Sequence, residues 1–358
     1  MDATEKIKQL EEEIEKTKYN KATQHHIGKL KAKIAQLREQ IETQKKSKGK
    51  GLGFGVKKQG HATVALVGLP SVGKSTLLNR LTNAESKVGA YEFTTLDVVP
   101  GMMTYEAVNI QLLDLPGLII GAAGGKGRGR EVLSMVRNAD LVIIVLDYNR
   151  LPAGERIKEE LEGVGVRLDC EPPDVSIKKR DRGGMNVTWT VKRHQLTDET
   201  VKAVLSTRSI HNADVVIRED ISEDELVDAV MDNRIYIPSI VAVNKSDVGD
   251  RSKLPSDYIP ISAEKNINLK RLRELVFQKL NFIRVYMKPQ GEKPDLEEPM
   301  ILKNGETIED LCRKLHKDFY KKFRYAMIWG KSVKHEGQRV GFPHRLRDKD
   351  IVSIIKEL

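Results

Sequence analysis

Ala62-Thr63-Val64-Ala65-Leu66-Val67 is a nearly unbroken apolar run, and it leads directly into Gly68-Leu69-Pro70-Ser71-Val72-Gly73-Lys74-Ser75-Thr76. A short apolar run of this kind reads as a strand buried on both faces of a parallel sheet. Behind it, Leu77, Leu78 and Leu81 fall on one face of a helical pattern that starts at Lys74. Strand, glycine-bearing turn and helix form the setting that makes G-x-x-x-x-G-K-S a phosphate-binding loop. The glycines let backbone amides close around phosphate oxygens, and the helix N-terminus adds a favourable dipole. Gly68, Ser71, Val72, Gly73, Lys74, Ser75 and Thr76 are therefore the candidate phosphate-contacting residues. Lys74 would reach the β- and γ-phosphates of a nucleotide, and the Ser75 hydroxyl would face Mg²⁺.

Working outward, Leu141–Leu146 and Ile240–Val243 are further apolar runs, with helical patterns between them. Strands alternating with helices, each strand apolar throughout, imply a doubly wound α/β domain. Two more motifs end such runs. Asp114-Leu115-Pro116-Gly117 closes the strand read at Asn109 to Leu113, about 40 residues after Lys74. An acid there holds the magnesium shell, and Gly117 can aim its N–H at the γ-phosphate. Asn244-Lys245-Ser246-Asp247 follows the strand ending at Val243 and would read the base. The Asp247 carboxylate accepts two hydrogen bonds from the N1–H and 2-amino group of guanine, donors that adenine lacks there. Asn244 would brace the loop, and the Lys245 stem would lie along the base. Ser262-Ala263 comes one strand later, where a backbone amide could meet guanine O6. In Phe93-Thr94-Thr95-Leu96 a threonine belongs over the γ-phosphate and Mg²⁺; Thr95 is favoured and Thr94 is the alternative. Lys74, Thr95 and Gly117 are the expected catalytic set, and Ser75, Thr95 and Asp114 the expected Mg²⁺ set.

The remaining chain is read as appendages, since 358 residues suggest two or three domains. Residues 1–48 read as a helical hairpin, with Ile27, Leu30, Ile34, Leu37 and Ile41 at coiled-coil seam spacing. Residues 49–60 belong to a basic, glycine-rich linker. The nucleotide domain is placed at 61–165 and 235–289, interrupted by a small α/β subdomain at 166–234. In that insertion Arg182-Gly183-Gly184 reads as the turn of a hairpin, and Ser222 with Glu225 as a capping box. Residues 290–358 read as a compact α+β module. In it His316, Lys317, Lys321, Lys322 and Arg324 are interleaved with Phe319, Tyr320, Phe323 and Tyr325, a pattern that suits RNA or a small core.

A net charge of +10 favours polyanionic partners. No apolar stretch is long enough to span a bilayer, and the N-terminus is charged rather than signal-like. Cys170 and Cys312 lie far apart without metal-ligand spacing, as expected of reduced thiols in a cytoplasmic protein. His25-His26 has no further ligands around it and reads as a solvated helix turn.

Taken together, GLPSVGKST, YEFTTL, DLPGLIIGAAGGKGRGREVL, NKSD and SAE resemble the Obg-related GTPases, and more closely their developmentally regulated GTP-binding (DRG) family. The resemblance spans essentially the whole chain. It implies a helical hairpin, a GTPase domain with an insertion, and a C-terminal TGS module of β-grasp fold. It also implies a slow, Mg²⁺-dependent GTPase associated with ribosomes or RNA, working with GTP and GDP and, in eukaryotes, with a small partner protein. No membrane contact and no DNA sequence specificity are expected. The rival expectation is an RNA- or ribosome-binding scaffold that uses GTP as a structural or sensing ligand. An ATPase is disfavoured by Asp247.

Leu118 follows DLPG, where Ras-like enzymes carry the glutamine that orients water. Unaided turnover is therefore expected to be slow. Relatives with this feature often recruit K⁺, in many of them through a P-loop asparagine; here that position is Ser71, which leaves potassium an open expectation. The glycine-rich segment 117–130 carries Lys126, Arg128 and Arg130. A mobile basic switch is the preferred reading, and an arginine acting on transition-state charge the alternative.

Overall fold

The computed structural model describes residues 3–20, 23–48, 58–82, 99–115, 132, 135–192, 196–248 and 254–357. Thr94, Thr95, Gly117, Leu118, the arginines at 128 and 130, and most of the basic linker lie outside them. The described helices are α1 (Ala3–Lys16), α2 (Gln24–Lys48), α3 (Lys74–Leu81), α4 (Ala153–Gly163), α5 (Asp198–Thr207), α6 (Glu223–Val230), α7 (Leu269–Lys279), α8 (Ile308–Leu315) and α9 (Lys317–Lys321). The first eight strands are β1 (Ala62–Val67), β2 (Val99–Tyr105), β3 (Val108–Asp114), β4 (Leu141–Asp147), β5 (Val166–Leu168), β6 (Val175–Lys179), β7 (Met185–Trp189) and β8 (Ala213–Ile217). They are followed by β9 (Ile235–Ile237), β10 (Ser239–Asn244), β11 (Ile259–Pro260), β12 (Phe282–Met287), β13 (Met300–Lys303), β14 (Phe323–Trp329), β15 (Gln338–Val340) and β16 (Asp350–Lys356). These elements gather into two compact units. One is Met1–Gly55, Ile120–Arg137 and Lys158–Ile237; the other is Val56–Ile119, Asn138–Ile157 and Pro238–Leu358.

The second unit holds a six-stranded sheet in the order β11-β10-β4-β1-β3-β2. All neighbours are parallel except the edge strand β2, which pairs antiparallel with β3. β1, β4 and β10 are buried along their whole lengths, as their apolar sequences require. Chain order runs from β1 to β3 on one side and then to β4 on the other. The loop after β1 thus sits at a topological switch point, where ligands bind in open α/β sheets. This is the doubly wound fold expected from the sequence.

The same unit carries a five-stranded sheet ordered β13-β12-β16-β14-β15, packed on α8 through Ile283, Val285, Leu302, Leu311, Ile328 and Val352. Mixed pairing of β12 with β16 (parallel) and β13 (antiparallel) gives it the β-grasp character expected. The boundary expected at 289/290 moves forward, because Phe282–Met287 is an interior strand of this sheet. β12 follows α7 within three residues, so by sequence it looked like the next strand of the nucleotide domain.

The first unit joins the N-terminal helices to the insertion. α1 buries none of its residues fully, whereas α2 contributes Ala32 and Ala35 to a core with Val201, Val204 and Leu205 of α5 and Leu226 and Val227 of α6. A Cβ at Gly28 would stand 3.1 Å from Thr200 Cγ2, so α2 and α5 pack closely. The large-residue seam is real, with Ile27, Leu30 and Ile34 buried, but a second stripe of Gly28, Ala32 and Ala35 docks the helix on the insertion. The insertion also runs further than expected, since Ile235–Ile237 pairs with Val166–Leu168 before the main sheet resumes at Ser239. The expected hairpin does not form. β8 lies between β6 and β7, antiparallel to the first and parallel to the second. Gly183 and Gly184, at φ of 108° and 74°, turn the chain across the width of that intervening strand. The capping box is present: Ser222 Oγ accepts from Glu225 N at 3.3 Å, and Ser222 N donates to Glu225 Oε2 at 2.8 Å.

Candidate nucleotide site

The end of β1 sets the phosphate loop. A Cβ at Gly68 would lie 2.3 Å from the Val145 carbonyl oxygen, so only glycine lets β1 and β4 stay adjacent as the chain turns. Ser71 has a left-handed φ of 65°, and Gly73 at φ 92° precedes α3 as its N-cap. Val72 is buried and fixes the loop against the core, and Thr76 lies in the first turn of α3. Lys74 is buried, and its ammonium donates to the carbonyls of Gly68 at 3.2 Å and Leu69 at 3.3 Å. Burial lowers its pKa and the Asp114 carboxylate opposes that shift, so an incoming phosphate would favour the charged form further.

Asp114, at the end of β3, pairs in register with Leu66 of β1 and is itself buried. The Ser75 hydroxyl donates to its Oδ2. A hydroxyl and a carboxylate in direct contact beside a buried ammonium are hard oxygen donors of the kind Mg²⁺ takes, so these residues fit that ion. Among the described residues no cluster of three or more His, Cys, Asp or Glu could hold a metal.

The base-reading segments are tied to the phosphate loop by one side chain. Asn244 Nδ2 donates to Val72 O at 2.9 Å, and its Oδ1 accepts from Ala263 N at 2.9 Å. Below it, Ser246 N donates to Ile261 O at 2.9 Å, which joins the two loops by backbone. Asp247 is half-buried and lies 3.4 Å from Lys265 Nζ. The Ser262 hydroxyl, the backbone N–H of Asp247 itself and Lys265 together outweigh partial burial and hold its carboxyl below the ordinary range. It is therefore ionised and available as a double acceptor. Ser262 and Ala263 are both buried.

Sequence reasoning missed two contacts at this site. Lys245, at φ 64°, donates to Ser71 O at 3.3 Å and lies 3.5 Å from the buried Asp147 carboxylate. Arg150 donates to Pro70 O at 3.2 Å. The signal for the first in the sequence is the acid closing Leu141–Asp147, because an acid at the end of a buried strand next to a phosphate loop needs a partner; the second carries none. Of the expected residues, the fold assembles Gly68 to Thr76, Asp114, Asn244, Lys245, Asp247, Ser262 and Ala263. Thr95 and Gly117 lie outside the described residues.

Comparison with known proteins agrees with this geometry. Residues 63–179 match the family model described as a 50S ribosome-binding GTPase, residues 182–282 the model of that domain's C-terminal region, and residues 283–356 the TGS domain. An uncharacterized GTP-binding protein of Methanocaldococcus jannaschii is 54% identical over 99% of this chain and 93% of its own length. Developmentally-regulated G-protein 3 of Arabidopsis thaliana is 47% identical over 99% of both chains. Developmentally-regulated GTP-binding protein 1 of Xenopus laevis is 46% identical over 98% of both. With a P-loop site of this form and relatives this similar along its whole length, the chain belongs to the Obg-related P-loop GTPase family and is a GTP-binding protein of the DRG-like kind.

Proposed function

We propose that this chain hydrolyses GTP slowly to GDP and phosphate, and acts as a translation- or ribosome-associated switch of the DRG family proper. The observation that carries this reading is Asn244. Its two hydrogen bonds, to Val72 O and from Ala263 N, make phosphate loop and base reader one rigid unit. Bound GTP would therefore meet a preorganised site, as catalysis by positioning requires.

Phosphate oxygens would replace the Gly68 and Leu69 carbonyls as acceptors for Lys74, whose charge then stands against the β- and γ-phosphates. The amides at the start of α3 cradle the same oxygens. Ser75 and Asp114 would hold Mg²⁺, with Thr95 as the third expected ligand; when bound, that ion neutralises charge on the phosphate oxygens. Asp247 selects guanine. Gly117 would aim an N–H at the γ-phosphate. Leu118 cannot orient water, so a potassium ion, an RNA or a protein would have to supply the missing group, and turnover without it should be slow.

The net charge of +10 supports a ribosomal or RNA partner, and the description of the matching family model points the same way. A cytoplasmic location and a small regulatory protein partner complete the proposal. Leu118 also favours a second reading, a scaffold that holds GTP without turning it over.

Phosphate release from GTP and from ATP, in sodium and then potassium buffer, separates the two readings. GTP-selective release that Lys74→Ala lowers by about 100-fold or more supports the enzyme. GTP binding with no release in either buffer, alone or with ribosomes, would favour the scaffold and end the claim of catalysis.

A further inference from the structure

The aromatic residues of the C-terminal sheet divide between its two faces. Phe319, Phe323 and Phe342 pack against the α8-side core, with Phe323 and Phe342 stacked at a centroid distance of 4.0 Å. Phe319 and Phe323 of the stretch from 316 to 325 are thus structural, while its basic residues are exposed. Successive residues of a strand alternate between faces, and Ala326 and Ile328 point to that core, so Tyr325, Met327 and Trp329 line the opposite face of β14. The pairing places Ile351, Ser353 and Ile355 of β16, Tyr286 of β12 and Arg339 of β15 on this same face. Among the described residues none of these belongs to the hydrophobic cores around β1 or α8.

Cations already sit over its rings. Lys288 Nζ lies 4.2 Å from the Trp329 centroid, and the Arg339 guanidinium 4.7 Å from that of Tyr325. By strand rise the two rings are about 13 Å apart. Between them Ser353, buried and opposite Met327, leaves a shallow floor. No residue named on this face is acidic.

We infer that this open face binds single-stranded RNA, with bases stacking at Tyr325 and Trp329 and phosphates meeting Arg339 and Lys288. The inference rests on the reading above that the chain contacts ribosomal or other RNA, and it names where. Aromatic rings supply stacking surfaces to any base, and cations beside them reach the phosphates. An acidic peptide suits the face less well. β14 and β16 are interior strands whose backbone groups are already paired, so strand addition is closed to a peptide here.

The test uses the full chain and a short fluorescein-labelled oligouridylate, read by anisotropy over a range of salt. Tyr325→Ala and Trp329→Ala should each weaken binding by about 5- to 150-fold, and Trp329→Phe should retain most of it. The double variant Lys288→Ala/Arg339→Ala should weaken binding and flatten the salt slope by about 0.7 for each phosphate that is no longer neutralised. That second pair keeps the proposal testable if Trp329→Ala fails to fold. GTP turnover and circular dichroism, unchanged in the variants, are the controls.

RNA binding that survives in all these variants would put the RNA elsewhere on the chain and overturn the face, leaving the ribosomal reading intact. Displacement of RNA by polyglutamate, with the ring variants binding as wild type, would assign the face to an acidic polypeptide and overturn the inference. If the wild-type chain neither binds oligouridylate nor sediments with ribosomes, the wider reading fails and this one with it.

Discussion

Asp247 acts through charge and geometry at once. Its carboxylate accepts from both guanine donors only while ionised, and its depressed pKa keeps it ionised as pH falls through the ordinary value of 3.8. Guanine affinity should therefore stay flat from neutral into mildly acid solution. Ser262→Ala removes the first cause of the depression and should move the acid loss of affinity upward in pH. A sharper change comes from Asp247→Asn. The amide keeps one acceptor and turns the other into a donor, which repels the 2-amino group of guanine and suits the 2-carbonyl of xanthine. GTP affinity should fall by about 100-fold or more, while xanthosine triphosphate gains by a comparable factor. Competition against a fluorescent guanine nucleotide measures both, and undiminished GTP affinity in Asp247→Asn would mean that the base is read elsewhere.

Whole elements depend on small residues that a hydrophobic pattern passes over. Gly73 combines a φ of 92° with a Cβ position 2.4 Å from Asn244 Nδ2. Gly73→Ala should cost about 1–2 kcal/mol of backbone strain and displace the side chain that joins the two loops. Nucleotide affinity should then fall more than the melting temperature does, and a variant that binds GTP normally would contradict this account of the junction. On α2, Gly28→Ala sets a helix-propensity gain of about 1 kcal/mol against a 3.1 Å approach to Thr200 Cγ2, and should be nearly neutral. Gly28→Leu should destabilise its unit by about 1–3 kcal/mol, seen as a lower urea midpoint; a midpoint equal to wild type would mean that α2 does not dock on α5. These positions mark the limit of what could be read from sequence. The phosphate loop, Asp114 and Asn244 to Asp247 were legible because their spacing is set by a nucleotide of fixed size and their strands are apolar throughout. Ile27, Leu30 and Ile34 were legible as a seam, but the stripe of Gly28, Ala32 and Ala35 carries no hydrophobic signal. The hairpin around Gly183 was misread because the strand that separates its arms, Ala213–Ile217, arrives much later in the chain.

Across the whole second unit, the guanidinium of Arg284 links the two sheets. Its Nη2 lies 2.7 Å and its Nε 3.1 Å from the two Asp348 oxygens, its backbone N–H donates to Asp348 Oδ1 at 2.8 Å, and Nη1 reaches Glu106. Glu106 stands in the turn between β2 and β3, and β3 runs from that turn to Asp114 in the nucleotide site. Arg284 also lies 5.5 Å from the Phe277 ring of α7, which in turn meets Tyr105 at 5.8 Å. The side chain is 11% exposed, while Asp348 is 37% and Glu106 49% exposed, so loss of the cation leaves two carboxylates that water still partly reaches. Arg284→Met keeps the stem and removes the charge. It should cost about 2 kcal/mol at neutral pH, below the range for a fully buried pair. The pH dependence separates charge from packing. Partial burial pushes the Asp348 pKa up, but hydrogen bonds from Arg284 and its charge outweigh that and hold it below 3.8. A carboxyl with a depressed folded pKa contributes stability above its unfolded value and loses it as pH falls through the folded one. In Arg284→Met the side-chain hydrogen bonds and the guanidinium charge are lost, while burial, the backbone N–H of residue 284 and Lys349 remain, so Asp348 should titrate higher than in wild type. The stability gap between wild type and variant should then be widest near neutral pH and narrow as acid protonates Asp348. Calorimetric melting temperatures of both proteins across that range decide the matter. A gap of constant size at every pH would assign Arg284 a packing role through Phe277, and no gap at all would mean that the two sheets are held together without it.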